Sequence, residues 1–158
     1  DIADISYKTY GDSMAYSDIT YDALDRNVYA STPGTSWNGR GKSLEYIGNG
    51  NKDIRLFSAP IDKISLVDDG FYKPNMLQGE KTTDEDGHSI TVYTDKLGRK
   101  ILERRNDGSS NNDTYFVYND LGQLRYVLSP EYQHSGYRTN MSMSTVMTSG
   151  GMWLRKFF

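Results

Sequence analysis

The chain of 158 residues has no cysteine. That excludes a disulfide framework, a thiol nucleophile and a Cys-ligated zinc site. Proline is scarce, with four residues. No stretch approaches the roughly 20 consecutive apolar residues of a membrane span, so none is expected. Lys and Arg do not cluster, and the net charge of −3 comes from both signs scattered along the chain. The basic footprint of a nucleic-acid binder is therefore missing. Helical periodicity is also missing, and no helix is expected. The first residues, Asp1-Ile2-Ala3-Asp4, do not resemble a signal peptide, which suits either a processed mature form or an excised fragment.

What is present points to strands and turns. Thirteen Tyr, fifteen Gly and many Ser, Thr, Asn and Asp favour short strands joined by polar turns. Alternation with a period of two dominates. Ile5, Tyr7 and Thr9 alternate with Ser6, Lys8 and Tyr10, followed by a Gly11-Asp12 turn. Ser43 to Ile47 is a strand ended by Asn49-Gly50, a strong hairpin dipeptide. Lys63 to Val67 and Phe71-Tyr72 flank an Asp68-Asp69-Gly70 turn. Leu77 to Thr83 and Ser89 to Thr94 make a hairpin around Asp84-Glu85-Asp86-Gly87. The expected fold is all-β, an antiparallel sheet of consecutive hairpins with about ten to twelve strands.

Two segments repeat. Tyr93-Thr94-Asp95-Lys96-Leu97-Gly98-Arg99 and Tyr118-Asn119-Asp120-Leu121-Gly122-Gln123-Leu124 each pass from an aromatic residue through Asp to Leu-Gly and then into a strand. Gly98 and Gly122 lie 24 residues apart, a step typical of repeating hairpin units. A weaker copy runs from Tyr21 to Arg26, with Asp25 in place of the glycine. Physically, Tyr93 and Tyr118 pack across strands and Asp95 and Asp120 stabilise turns through Asx-type bonds. Gly98 and Gly122 supply positive φ, and Arg99 reaches back to a carboxylate or carbonyl.

These residues resemble the YD repeats of the bacterial RHS family. Tyr93 to Arg105 and Tyr115 to Pro130 match best, and Leu24-Asp25-Arg26, Thr32-Pro33-Gly34 and Trp37 resemble a segment upstream of such repeats. The chain departs from the pattern at Asp25, where Gly is usual, and at Gln123, where Arg is usual. Lys96 stands as a one-residue insertion. The resemblance covers roughly residues 16 to 133. It implies β-sheets that spiral into shells in long proteins, exported or surface-attached, serving competition or adhesion. Residues 1–133 are then a repeat domain and 134–158 a divergent tail. That tail, with Met141, Met143, Met147 and Met152, forms either edge strands or a hydrophobic end that packs on a continuation of the protein.

No catalytic residue, metal site or cofactor is expected. His88 and His134 both flank turn residues, and Asp84 to Gly87 lacks the spacing of a calcium loop. Asp68 with Asp69, or Glu80 with Asp84, are the acidic pairs to weigh for glycoside hydrolysis, which needs two carboxyls across a cleft. Neither a Gly-x-Ser-x-Gly elbow nor a P-loop occurs. Trp37, Tyr72, Tyr115 and Tyr132 are candidate rings for stacking on sugars, against the alternative of cross-strand packing. The expected function is a non-catalytic structural or interaction module, secreted or on the bacterial cell surface. A surface carbohydrate-binding β-domain is the alternative. Expected partners are cell-surface glycans or further repeats, with edge-to-edge homo-oligomers through unpaired strands.

Overall fold

The computed structural model describes residues 1–62 and 66–131. It opens with a helix, α1 (Ile2–Tyr10), where alternation suggested a strand. Two caps decide between the readings. The Asp1 side chain accepts from the Ala3 N–H, and Gly11 ends the helix at φ 74° with its N–H on the Tyr7 carbonyl. An Asp4–Lys8 pair adds i,i+4 support on the exposed side. Ser6 is the buried residue of α1; it donates to the Asp12 carbonyl at 2.6 Å and accepts from Ala15 N–H at 3.0 Å.

The rest is all-β, as expected. The strands are β1 (Ile19–Tyr21), β2 (Asn27–Ser31), β3 (Gly41–Gly48), β4 (Arg55–Ser58) and β5 (Val67–Phe71), then β6 (Gln78–Thr83), β7 (Ser89–Thr94), β8 (Lys100–Asn106), β9 (Asn111–Tyr118) and β10 (Leu124–Leu128). Eight of them form one antiparallel sheet in the order β1-β2-β3-β6-β7-β8-β9-β10. Between β3 and β6 the chain makes an excursion, and its described residues, 49–62 and 66–77, include strands β4 and β5, which make a separate two-stranded ribbon. The expected turn at Asp68-Asp69-Gly70 is instead part of β5. Gly70, at φ 93°, sits where the β4–β5 register shifts, so the glycine serves a bulge.

Asn49-Gly50 likewise does not turn a hairpin, because β3 pairs with β6. Asn49 is 1% exposed and locks the neck of the excursion. Its Oδ1 accepts from Leu77 N–H at 2.9 Å, and its Nδ2 donates to the Lys73 and Gly50 carbonyls at 2.9 and 3.2 Å. A buried amide with all these partners outranks the local turn preference of its dipeptide.

The excursion caps one face of the sheet. Beneath it a continuous cross-strand row runs Ile47, Gly79, Tyr93, Leu102, Tyr115, Leu128, each residue paired with the next. Ile54, Phe57, Ala59 and Leu77 of the excursion and its neck join the core, together with Ile101, Val117 and Tyr126 of the sheet. Phe57 meets Tyr115 edge to face at 5.2 Å between centroids. A polar row lies two residues further along the strands. There Arg104, opposite Thr91 and Asp113, makes a two-pronged pair with Asp113 and reaches Asp53 of the excursion at 2.8 Å. These ion pairs push the Arg104 guanidinium further up, although burial opposes them.

Gly79 must be glycine on steric grounds. A Cβ there would lie 2.7 Å from the Tyr93 ring and 2.9 Å from Ile47. Gly79→Ala is expected to cost about 1–3 kcal/mol through overpacking. Asn49→Ala is expected to cost about 2–4 kcal/mol by stranding the Leu77 N–H and the Lys73 carbonyl. Urea denaturation measures both, and a change under about 0.5 kcal/mol in either would contradict the assigned role.

Candidate functional site

One corner structure recurs four times, at Asp22–Arg26, Asp84–His88, Asp95–Arg99 and Asn119–Gln123. In each, the first residue and the fifth pair through the N–H of the first, and the N–H of the fourth bonds the carbonyl of the first. The Oδ1 of the first residue then accepts two backbone N–H groups, from the third and the fifth residues. At the Asp95 corner both of these bonds are 2.9 Å, from Leu97 and Arg99. At the Asn119 corner they are 3.1 and 2.9 Å, from Leu121 and Gln123. The fourth residue holds positive φ: Asp25 at 60°, Gly87 at 86°, and Gly98 and Gly122 at 75°. Asp tolerates the left-handed region better than most side chains, which is how Asp25 replaces a glycine.

The shared geometry corrects the expected assignment of the second repeat. Asn119, not Asp120, is the counterpart of Asp95, and Asp120 occupies the place of Lys96. Lys96 is therefore no insertion, and the corners superpose residue for residue at a step of 24. The corner at Asp84 is a further copy, recognisable in the sequence by an Asp three residues before a Gly.

The fifth side chain closes three of these corners from outside. Arg99 Nε donates to Asp95 Oδ2 at 2.8 Å and Arg26 Nε to Asp22 Oδ2 at 2.7 Å, while at the third corner the Asn119 amide donates to Gln123 Oε1 at 3.0 Å. Partial burial would raise the Asp95 carboxyl, but the Arg99 amide, the Arg99 guanidinium and the Leu97 amide together hold it below its ordinary range. The Arg26 side chain and amide do the same for Asp22. Arg99 also lies 5.0 Å from the Tyr118 ring centroid, and Arg26 lies 3.7 Å from that of Tyr46.

The alternating strand directions put the Asp22, Asp95 and Asn119 corners at one end of the sheet, here called the upper rim. The Asp84 corner and the loops 32–40 and 107–110 lie at the lower rim. A cavity of about 370 Å³ opens under the upper rim, between the excursion and β8–β9. Phe57, Tyr72, Tyr115 and Tyr118 give it aromatic walls, and Arg55 and Arg99 add charge. Much of that polarity is already committed. Arg55 pairs with Asp68, Arg55 N–H donates to the Tyr115 hydroxyl at 3.3 Å, and the Tyr118 hydroxyl donates to the Lys100 carbonyl at 2.9 Å. Burial raises the Tyr72 and Tyr118 phenols, which stay neutral.

Of the three candidate sugar-stacking rings within the described residues, Trp37 stands apart from Tyr72 and Tyr115. Trp37 sits in a short 3-10 turn (Thr35–Trp37) at the lower rim, 42% exposed, with the Arg40 guanidinium 5.9 Å from its ring. Tyr72 and Tyr115 line the cavity at the other end. Tyr115 is 3% exposed and belongs to the core, where it meets Phe57 edge to face. Tyr132 and His134 lie outside the described residues, as does the tail from 134 onward. The excursion residues Arg55 and Phe57 were not legible as partners of Tyr115 and Tyr118, because their meeting depends on the cap folding over the sheet.

The acidic pairs are occupied singly. Asp68 pairs with Arg55 and accepts from Gly70 N–H, and Asp69 accepts from Ser58 Oγ at 2.6 Å. Asp84 is spent on its corner, with His88 Nδ1 3.5 Å from its Oδ2, while Glu80 lies on β6 opposite Tyr46 and Val92. Among the described residues no group of three or more His, Asp or Glu side chains is placed to hold a metal ion, and no helix is long and apolar enough to cross a membrane. Comparison with protein-family models, curated proteins and solved structures gave no match.

The first residue is an ionisable carboxyl at the Asp95 corner and a neutral amide at the Asn119 corner, which gives a pH test. A carboxyl held below its unfolded value of about 3.9 contributes stability that is present above that pH and lost as pH falls through the folded value. Asp95→Asn keeps the Oδ1 acceptor for the two backbone N–H groups, as Asn119 does, while removing the titration together with the Oδ2 acceptor of Arg99. Urea melts from pH 5 downward are expected to show a flatter acid limb for the variant; an unchanged slope would refute the assignment.

Proposed function

We propose that this chain is a non-catalytic structural and interaction module from an exported or surface-attached bacterial protein of the RHS, YD-repeat type. The observation that carries the reading is the corner, rebuilt with the same hydrogen bonds at 95–99 and 119–123, one 24-residue step and two strands apart. A unit that returns the chain to the same rim every two strands is suited to extension into longer sheets. The side chains that define it are used in holding the turn, which leaves the repeat as scaffold. Further repeats are the natural partners of the outer strands β1 and β10, and location outside the cell follows from the family reading.

The test is to lengthen the protein by one unit. A tandem duplication of residues 95–118, placed before Asn119, adds two strands if the unit is modular. It is expected to unfold in one transition with a larger urea m-value, since m grows with the surface exposed. A duplicated segment that is cleaved by protease while the remainder stays folded would refute the reading.

A second reading, carbohydrate binding at the bacterial surface, rests on the exposed Trp37 ring beside Arg40. On a glycan array the chain is expected to retain a sugar that Trp37→Ala loses. An array on which the unaltered protein binds nothing removes this reading and leaves the scaffold reading untouched.

A further inference from the structure

At the three upper-rim corners the third residue is a leucine. Leu24, Leu97 and Leu121 are 73%, 77% and 72% exposed. The corner needs only the N–H of that residue, and the lower-rim corner carries Asp86 there. Neither the turn nor the core therefore accounts for the leucines. Leu97 and Leu121 stand on neighbouring corners two strands apart, whereas Leu24 lies about four strands away beyond the neck of the excursion. The adjacent pair of exposed apolar side chains marks a contact surface.

Charge at the neighbouring position says what fits it. Lys96 and Asp120 each precede the leucine of their corners, and these corners are two strands, about 10 Å, apart. Arg99 is matched by Asp95, and Gln123 and Asn119 are neutral, so one corner carries a net positive and the next a net negative charge. Lys96 has no ion-pair partner among the described residues. Among the described residues Asp120 accepts a 3.4 Å bond from Ile61 N–H and has no ion-pair partner.

We infer that a second copy of this chain docks on this rim, upper end to upper end. The two-fold axis runs along the sheet normal, between the Asp95 and Asn119 corners. That rotation sets Leu97 against the partner's Leu121 and Lys96 against the partner's Asp120, and the reciprocal pairs follow by symmetry. The other end-to-end two-fold, with its axis along the rim, sets Lys96 on the partner's Lys96 and Asp120 on the partner's Asp120. Like-charge repulsion selects against it. Two corners per copy fall short of the roughly 1,200 Å² of a standard interface, so the dimer is weak and concentration-dependent. It uses the strand ends and is distinct from pairing at the β1 and β10 edges.

Sedimentation equilibrium of the full chain up to millimolar concentration tests this. A monomer–dimer equilibrium is expected, weakened by salt. Lys96→Glu and Asp120→Lys are each expected to weaken it about tenfold, and the double exchange to restore it. Leu97→Ser with Leu121→Ser is expected to weaken it further. These side chains lie outside the corner's bonding except for the Ile61 contact, and circular dichroism with thermal melts checks that each variant is folded. A strict monomer at every concentration overturns the inference. So does a dimer indifferent to Lys96→Glu, which would place the contact at the strand edges, or a folded double exchange that fails to restore association.

Discussion

One side-chain oxygen accepting two backbone N–H groups underlies most of this architecture. It fixes which residue of a hairpin faces which, because the acceptor and both donors belong to the corner itself. A slip of one residue would turn every side chain of the strand to the other face of the sheet. With the corners set, Tyr93 falls opposite Leu102, and Leu128 opposite Tyr115, so the apolar row lies under the cap. The oxygen may belong to a carboxylate or an amide, as Asp95 and Asn119 show, because geometry matters more than charge.

The sheet is two-sided in a functional sense. One face from β6 to β10 is dry beneath the excursion, while the opposite face carries Tyr46, Ile90 and charged residues in water. Polar bonds that attach the cap include the Asn49 neck, the Arg104–Asp53 pair and the Arg125 bond to the Pro60 carbonyl. The cavity under the rim is what remains where a ribbon and a twisted sheet meet without full contact. The Tyr115 hydroxyl bridges that junction by accepting from Arg55 N–H.

The sequence carries the strands and corners openly, since an Asp or Asn three residues before a glycine marks each of Asp84, Asp95 and Asn119. Asp120 misleads only because it is the residue type expected one place too late. Ile5, Tyr7 and Thr9 suit a strand as well as a helix, and only the caps at Asp1 and Gly11 separate the two. Asn49-Gly50 carries a strong local turn preference that a buried, fully bonded amide overrides. The cap and cavity were least legible. They join Arg55 and Phe57 to Tyr115 across some sixty positions, and no local pattern encodes such a meeting.

The excursion between β3 and β6 also bears on the order of assembly. The hairpins of β6 to β10 close through turns of a few residues, whereas β3 finds β6 only after roughly thirty intervening residues are gathered in, at a higher entropy of closure. Local contacts form sooner than distant ones. On this ground β6 to β10 are expected to assemble before β1 to β3 join them, with the Asn49 bonds closing the neck between the two parts. Until that neck closes, β6 is itself an open edge.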